Sequence, residues 1–296
     1  MKSVLPALAV LTAIPFSAAC VVVDSQGHIT RDEKRFTVSG TPELHLTTFD
    51  GAIEIRSGDS KTVLVEIEKR GATQAEVDKL QIDTKQDGNR IDVEVKKPQD
   101  RRIGIGIGIG PMSPTAKLIV TMPREGDVVA RSGDGSITIE RVRGNLQLRT
   151  GDGSIRGTDI GGKMTMTTGD GSITLDDVTG DLDVDTGDGS VSVAGKFGAV
   201  KLHTGDGTIT FRADAGTVMT DDWSMTTGDG GIAVYLPSDF DAQLDAHTGD
   251  GSIQSDLKVS ADDGDSSRRT LRGKIGDGGK TLKIRTGDGG IKLKTS

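Results

Sequence analysis

The stretch TGDGSITLDDVTGDLDVD (Thr168–Asp185) decides the fold. Its first six letters recur at Thr150–Ile155 and Thr248–Ile253, and near copies fill the second half of the chain. The aspartates Asp134, Asp152, Asp170, Asp188 and Asp206 follow one another at a constant spacing of 18. Asp229, Asp250 and Asp288 come after them at larger steps. A fixed period of this length means stacked supersecondary units, so it takes precedence over any single motif. Each unit contains a weaker half-repeat: SITIE (Ser136–Glu140) is followed by NLQLR (Asn145–Arg149), each entered after a glycine, Gly135 and Gly144.

Superposing the copies gives each position a role. Ile137, Ile155, Ile173, Val191, Ile209, Ile232, Ile253 and Ile291 share one place and form an inward column. Leu148, Met166, Val184, Leu202, Met225 and Leu244 make a second. Gly144, Gly162, Gly180, Gly198 and Gly216 mark the corner opposite Gly-Asp-Gly. Thr150, Thr168, Thr186, Thr204, Thr227, Thr248 and Thr286 precede the Gly-Asp-Gly turns. The unit is two short strands and two tight corners. A β-solenoid fits this, and so does an antiparallel meander of Asp-Gly hairpins. The constant period favours the solenoid, because stacked coils must keep register. The expected class is therefore all-β, a stack of two-strand coils over 124–296, continuous with an extended-strand portion over 36–123.

In that N-terminal portion the alternation has period two, the mark of half-buried strands. Val63, Val65 and Ile67 fall on one face, as do Ile91, Val93 and Val95. Asp87-Gly88-Asn89 reads as a hairpin turn and Thr73–Leu80 as a short helix. Ala116–Met122 reads as a strand ended by Pro123. Between them lies IGIGIGIG (Ile103–Gly110), whose isoleucines would share one face. It reads as a glycine-thinned hairpin arm over the solenoid end, or as a lipid-facing hairpin or an aggregation-prone edge. Five extra residues between Gly216 and Trp223 break the period, and Trp223 and Met225 then take the inward places held earlier by Leu146 and Leu148. The one tryptophan reads as a core plug. SADDGDSSRR (Ser260–Arg269) reads as an exposed loop.

The chain opens with MKSVLPALAVLTAIPFSAA, a lysine, an apolar run and small residues, followed by Cys20. This is the anatomy of an export signal, 1–19. It resembles a bacterial lipoprotein signal with Ser17-Ala18-Ala19-Cys20 as the lipobox, although such boxes usually carry leucine where Ser17 stands. Cys20 is then a lipidation site and the membrane a partner. Residues 20–35 become a tether or a lead-in strand. Plain cleavage near Ala19 is the alternative. Either way the chain is destined for the cell envelope, at the outer membrane, periplasm or surface. The single cysteine among 296 residues excludes an internal disulfide and a multi-cysteine metal cluster. A net charge of −8 with scattered basic residues argues against a nucleic-acid partner.

The extended strands, then YLPSDFDAQLDAHTGDGSI (Tyr235–Ile253) and LRGKIGDGGKTLKIRTGDGGIKLK (Leu271–Lys294), resemble the DUF4097 family of adhesin-like β-repeat proteins. The resemblance covers roughly Glu43–Lys294. It implies a β-solenoid-like surface or envelope protein that brings no catalytic residues with it, adhesive or scaffolding in role, with a protein or glycan partner. The regular Gly-Asp-Gly units and the IGIGIGIG insert depart from the family pattern.

Calcium is the competing chemistry. Repeat-in-toxin coils carry two nonapeptides per 18 residues. Placing Ile137 at their hydrophobic position puts Gly135, not an aspartate, at the ligand position. Stacking nevertheless aligns Asp134, Asp152, Asp170, Asp188 and Asp206, a candidate cation ladder. The alternative role for these carboxylates is to accept backbone N–H groups and close their own turns, with the flanking glycines supplying positive φ. Catalysis lacks a singular site: His203 and His247 occupy a place held elsewhere by Arg131, Arg149, Thr167 and Asp185. No cofactor is expected and the chain does not read as an enzyme. The threonine column reads as a cross-strand ladder or as a flat hydroxyl array for ice or glycan. A calcium-dependent or glycan-binding module is the runner-up function, and an envelope-stress accessory protein the third.

Overall fold

The computed structural model describes residues 20–24, 27–58, 61–96, 114–260 and 266–296. The export signal and the IGIGIGIG insert lie outside these residues, as does 261–265 of the expected loop.

The chain is a two-sided β-solenoid. Each coil runs along an approach face to a Gly-Asp-Gly corner, turns, and returns along the opposite face. In the repeat, successive coils pair in parallel, so the meander is excluded. On the return face Ile53, Ile137, Ile155, Ile173, Val191, Ile209 and Ile232 are register partners in turn. All are buried, because alternate residues of a strand point to opposite sides and these positions point inward. On the approach face Leu148, Met166, Val184, Leu202 and Met225 line up likewise. Leu244 does not belong to that column. It aligns with Leu282, and Ala246 takes the place beside Ile284.

Each coil is named here by its corner aspartate. The repeat begins earlier than its period shows: Glu43–Thr48 and Ile53–Ser57 form an Asp50 coil, which stacks on the Asp134 coil through both faces. Outside the Asp50 coil lie Arg90–Lys96 and Thr115–Met122, each parallel to it. Antiparallel strands finish this end. Gln81–Asp87 covers the approach face. Thr62–Gly71, Gly27–Thr37 and Cys20–Asp24 extend the return face. Residues Cys20–Asp24 and Gly27–Thr37 are strands of this face. The hairpin at Gly88 and the helix Gln74–Val77, capped by Thr73, stand where the sequence places them.

The other end departs from sequence order. The Asp229 coil does not stack on the Asp250 coil. The last coil of the chain, Thr281–Thr286 with Ile291–Thr295, lies between them and pairs in parallel with both. Gly276–Gly279 carries the letters Gly-Asp-Gly but forms no corner of the repeat. It carries the chain from Thr270–Ile275, antiparallel on one side of Ala242–Thr248, over to Thr281–Thr286 on the other side. Gly276, Gly278 and Gly279 all have positive φ there.

The opposite corner is regular only through Gly144, Gly162 and Gly180, whose φ values are positive. Beyond it the register shifts, and Phe197 rather than Gly198 pairs with Gly180. The buried aromatics gather here. Trp223 packs at 5.2 Å from Phe211 and 5.3 Å from Phe240, centroid to centroid, and its indole N–H donates to the Gly198 carbonyl at 2.9 Å. The tryptophan is the core plug that the broken period predicts.

Candidate functional site

The repeated Thr-Gly-Asp-Gly corner is the first candidate. Its threonines are buried, at most 5% exposed from Thr150 to Thr286. That removes the ice- or glycan-binding hydroxyl array. They stand in register, but their hydroxyls bond the neighbouring coil's backbone. The Thr204 hydroxyl donates toward the carbonyls of Gly187 (3.2 Å) and Gly189 (2.9 Å) and accepts the Gly207 N–H (3.1 Å). Thr168, Thr227 and Thr286 repeat all three contacts. The turn closure expected of aspartate thus belongs to threonine. A buried hydroxyl that both donates and accepts satisfies groups that water does not reach at this depth.

The corner glycines have a different cause from the one the sequence suggests. None of Gly169, Gly171, Gly187 and Gly189 is among the positive-φ residues. Glycine is required because the coils nearly touch. A Cβ on Gly189 would lie 2.0 Å from the Gly171 carbonyl oxygen, and one on Gly207 2.1 Å from that of Gly189. The same approach lets Gly187 N–H donate to Gly169 at 2.6 Å and Gly205 N–H to Gly187 at 2.5 Å.

The aspartates crown this corner. Asp134, Asp152, Asp170, Asp188 and Asp206 are all exposed, one to a coil, in a single row. Among the described residues no three His, Cys, Asp or Glu side chains converge as a metal group. His203 and His247 lie in register with Asp185 and Arg285 on the outer approach face, the interchangeable surface place that the sequence indicates.

The second candidate is an open groove of about 390 Å³ on the approach face, beside the five-residue insertion. It is lined by Lys163, Thr165, Asp181, Asp183, Lys201 and Asp222 among others. Two of its carboxylates are structural. Asp181 accepts the Ala199 N–H at 3.0 Å, and Asp222 accepts the Thr281 N–H at 2.7 Å. The sequence gives no warning of this groove, because it forms across four successive coils.

Two charged clamps hold the ends. Partial burial pushes the Asp245 carboxyl up, but hydrogen bonds and charge from Arg285 and Arg272 outweigh this and hold it below the ordinary carboxylate range. Glu68 is held down in the same way by Arg70 and Arg31, against its own burial. Among the described residues no helix is long and apolar enough to cross a membrane.

Comparison with curated proteins gave no match. Among solved structures the chain is similar to a "putative lipid binding protein" from Parabacteroides distasonis ATCC 8503, with 15% identity and TM-score 0.49 over 89% of this chain and 96% of that one. It is also similar to a "putative adhesin" from Bacteroides fragilis NCTC 9343, with 13% identity and TM-score 0.47 over 89% of this chain and 96% of that one. The model of the Toastrack family, DUF4097, matches residues 42–294, from the Asp50 coil to the last strand. The chain therefore belongs to the DUF4097 (Toastrack) family.

Proposed function

We propose that this protein is a non-enzymatic scaffold or adhesin of the bacterial envelope, tethered by a lipid on Cys20 and presenting its two outer faces to a protein or glycan. One observation carries the reading: among the described residues the strand Cys20–Asp24 lies at one extreme of a thirteen-strand return face, whose other extreme is Ile253–Ser255. At about 4.8 Å per strand such a face is roughly 58 Å long. An anchor at its first strand would stand the stack away from the membrane. The outer rows vary freely in charge from coil to coil while the interior stays aliphatic, as suits a surface selected for display rather than for one reaction.

The test has two arms. Cells fed a radioactive fatty acid should label the chain, and Cys20→Ser should abolish the label and release the protein from the membrane fraction. Absence of label with a free Cys20 thiol overturns the anchor. The purified chain should retain a component of the native envelope, or a glycan on an array, without altering it. Cleavage of a retained glycan overturns the non-enzymatic reading.

A further inference from the structure

We propose that the C-terminal coil, residues 281–296, is an exchangeable wedge, and that the slot it fills also accepts the same segment from a second copy of the chain. This goes beyond the adhesive reading and stands independently of it, on topology.

The slot is built into the fold by a link that steps over a layer. Elsewhere in the repeat a link crosses to the adjacent layer whatever its length: two residues separate Ile137–Glu140 from Arg143–Arg149, and nine separate Ile209–Ala213 from Trp223–Thr227. Between Ile232–Leu236 and Ala242–Thr248 there are five. That link, with Phe240 buried as its plug, spans two layers, about 10 Å. It leaves a gap one coil thick between the Asp229 and Asp250 coils. Until residues 281–295 arrive, the facing strands Trp223–Thr227 and Ile232–Leu236 present an unpaired edge. An open edge of this kind is a template for any strand of matching pattern.

The occupant is specified by register, not by connection. On the approach face Trp223, Met225 and Thr227 pair with Leu282, Ile284 and Thr286, and on the return face Ile232 and Val234 pair with Ile291 and Leu293. The Asp250 coil repeats the pattern on the far side with Leu244, Ala246 and Thr248, and with Ile253. Every lock on the wedge comes from these two neighbours. Asp222 accepts the Thr281 N–H, the Thr286 hydroxyl donates to Gly230, and Arg285 holds Asp245. A second copy of the same segment would meet the same partners.

The tether permits the exchange. The wedge is joined to the rest of the chain through Gly276–Lys280, where three glycines at positive φ make a tight crossover. Asp241 accepts the Asp277 N–H at 2.8 Å at the start of this crossover, and Lys280 accepts the Gln243 N–H at 2.9 Å at its end. A short hinge before a terminal element is an arrangement from which domain swapping arises at low cost. Reciprocal exchange gives a closed two-fold dimer.

The experiment uses full-length mature chains on a Cys20→Ser background. Ser224 and Lys283 are register partners on the outer approach face. One chain carries Ser224→Cys and the other Lys283→Cys. The two are unfolded together, refolded together and oxidised. A disulfide heterodimer that disappears on reduction is the expected result. The chain bearing both cysteines should close its bridge within itself when refolded alone and dilute, which establishes folding and register. Lys201→Cys paired with Lys283→Cys sits two coils apart and should give no heterodimer. A purely monomeric mixture beside a closed double-cysteine chain overturns the proposal. So does equal cross-linking by the Lys201→Cys pair, and so does failure of the double-cysteine chain to close.

Discussion

Ile232 pairs in register with Ile291, not with Ile253, although Ile253 is the next isoleucine of the repeat along the chain. The relationship shows what a periodic interior leaves undetermined. The coils offer their neighbours the same aliphatic columns and the same buried hydroxyl, threonine in all but the Asp134 coil, where it is Ser132, so burial alone is indifferent to which coil lies next to which. The order is set by the connections: a five-residue link that steps over a layer, and a glycine crossover that brings the chain back.

The corner threonines should carry measurable stability. Thr204 is fully buried and its hydroxyl serves two carbonyls and one N–H of the corner. Thr204→Val keeps the shape and leaves those groups unpaired, a cost of about 1–3 kcal/mol. Thr204→Ser keeps the hydroxyl and should recover most of the loss. Urea denaturation of the three chains makes the comparison. Equal midpoints for valine and threonine would remove the hydroxyl from the account.

Neighbouring positions in one Gly-Asp-Gly unit should behave oppositely. A Cβ on Gly189 meets backbone at 2.0 Å, so Gly189→Ala must push two coils apart and should cost upward of about 3 kcal/mol. Asp188 is exposed at the tip, and Asp188→Asn should stay within about 0.5 kcal/mol. Thermal melts decide it. A tolerated alanine beside a damaging asparagine would mean that the carboxylate, not the close approach, makes the corner.

The lone tryptophan reports on the region where the repeat is irregular. Trp223 packs against Phe211 and Phe240 and is wholly buried. Trp223→Ala removes the largest side chain of that cluster and should cost about 3–5 kcal/mol. Trp223→Phe should cost less, because it keeps the ring contacts and loses only the indole bond to Gly198. A smaller loss for alanine than for phenylalanine would contradict the packing role.

Much of this fold is legible in the sequence, for a physical reason. Alternation at period two identifies the inward residues of a strand, and repetition at 18 identifies which strands share a layer. Ile137, Met166 and Trp223 all lie inside, as that reading requires. The reading fails where two physical causes leave one signature. Glycines flanking Asp188 are equally consistent with positive φ and with close approach, and only the backbone geometry separates them. Thr204 and Asp206 both have the chemistry to close a turn, and the hydroxyl is the one placed to do so. The Asp50 coil escapes notice because its corner reads TFDGAI, with Phe49 and Ala52 where the repeat has glycine and serine. The groove by Asp222 draws its lining from four separate segments, which no linear pattern brings together.

The C-terminal wedge should loosen in acid, through Asp245. Its folded pKa lies below the ordinary value because Arg285 and Arg272 favour the charged form more than burial disfavours it. A depressed carboxylate contributes stability that is fully present above its unfolded pKa, about 4, and is lost as pH falls through the folded pKa. Between pH 6 and 8 the clamp is therefore constant. Below about pH 4 protonation releases Arg285, which also donates to the Asp245 backbone carbonyl at 2.6 Å. Hydrogen exchange of the Ile284 and Arg285 amides should accelerate there beyond the intrinsic pH dependence, ahead of exchange in the Asp170 coil. In Asp245→Asn the wedge should already exchange faster at pH 7, and its protection should no longer fall with acid. If the asparagine chain keeps the full acid response, another carboxylate holds the wedge and the assignment to Asp245 is wrong.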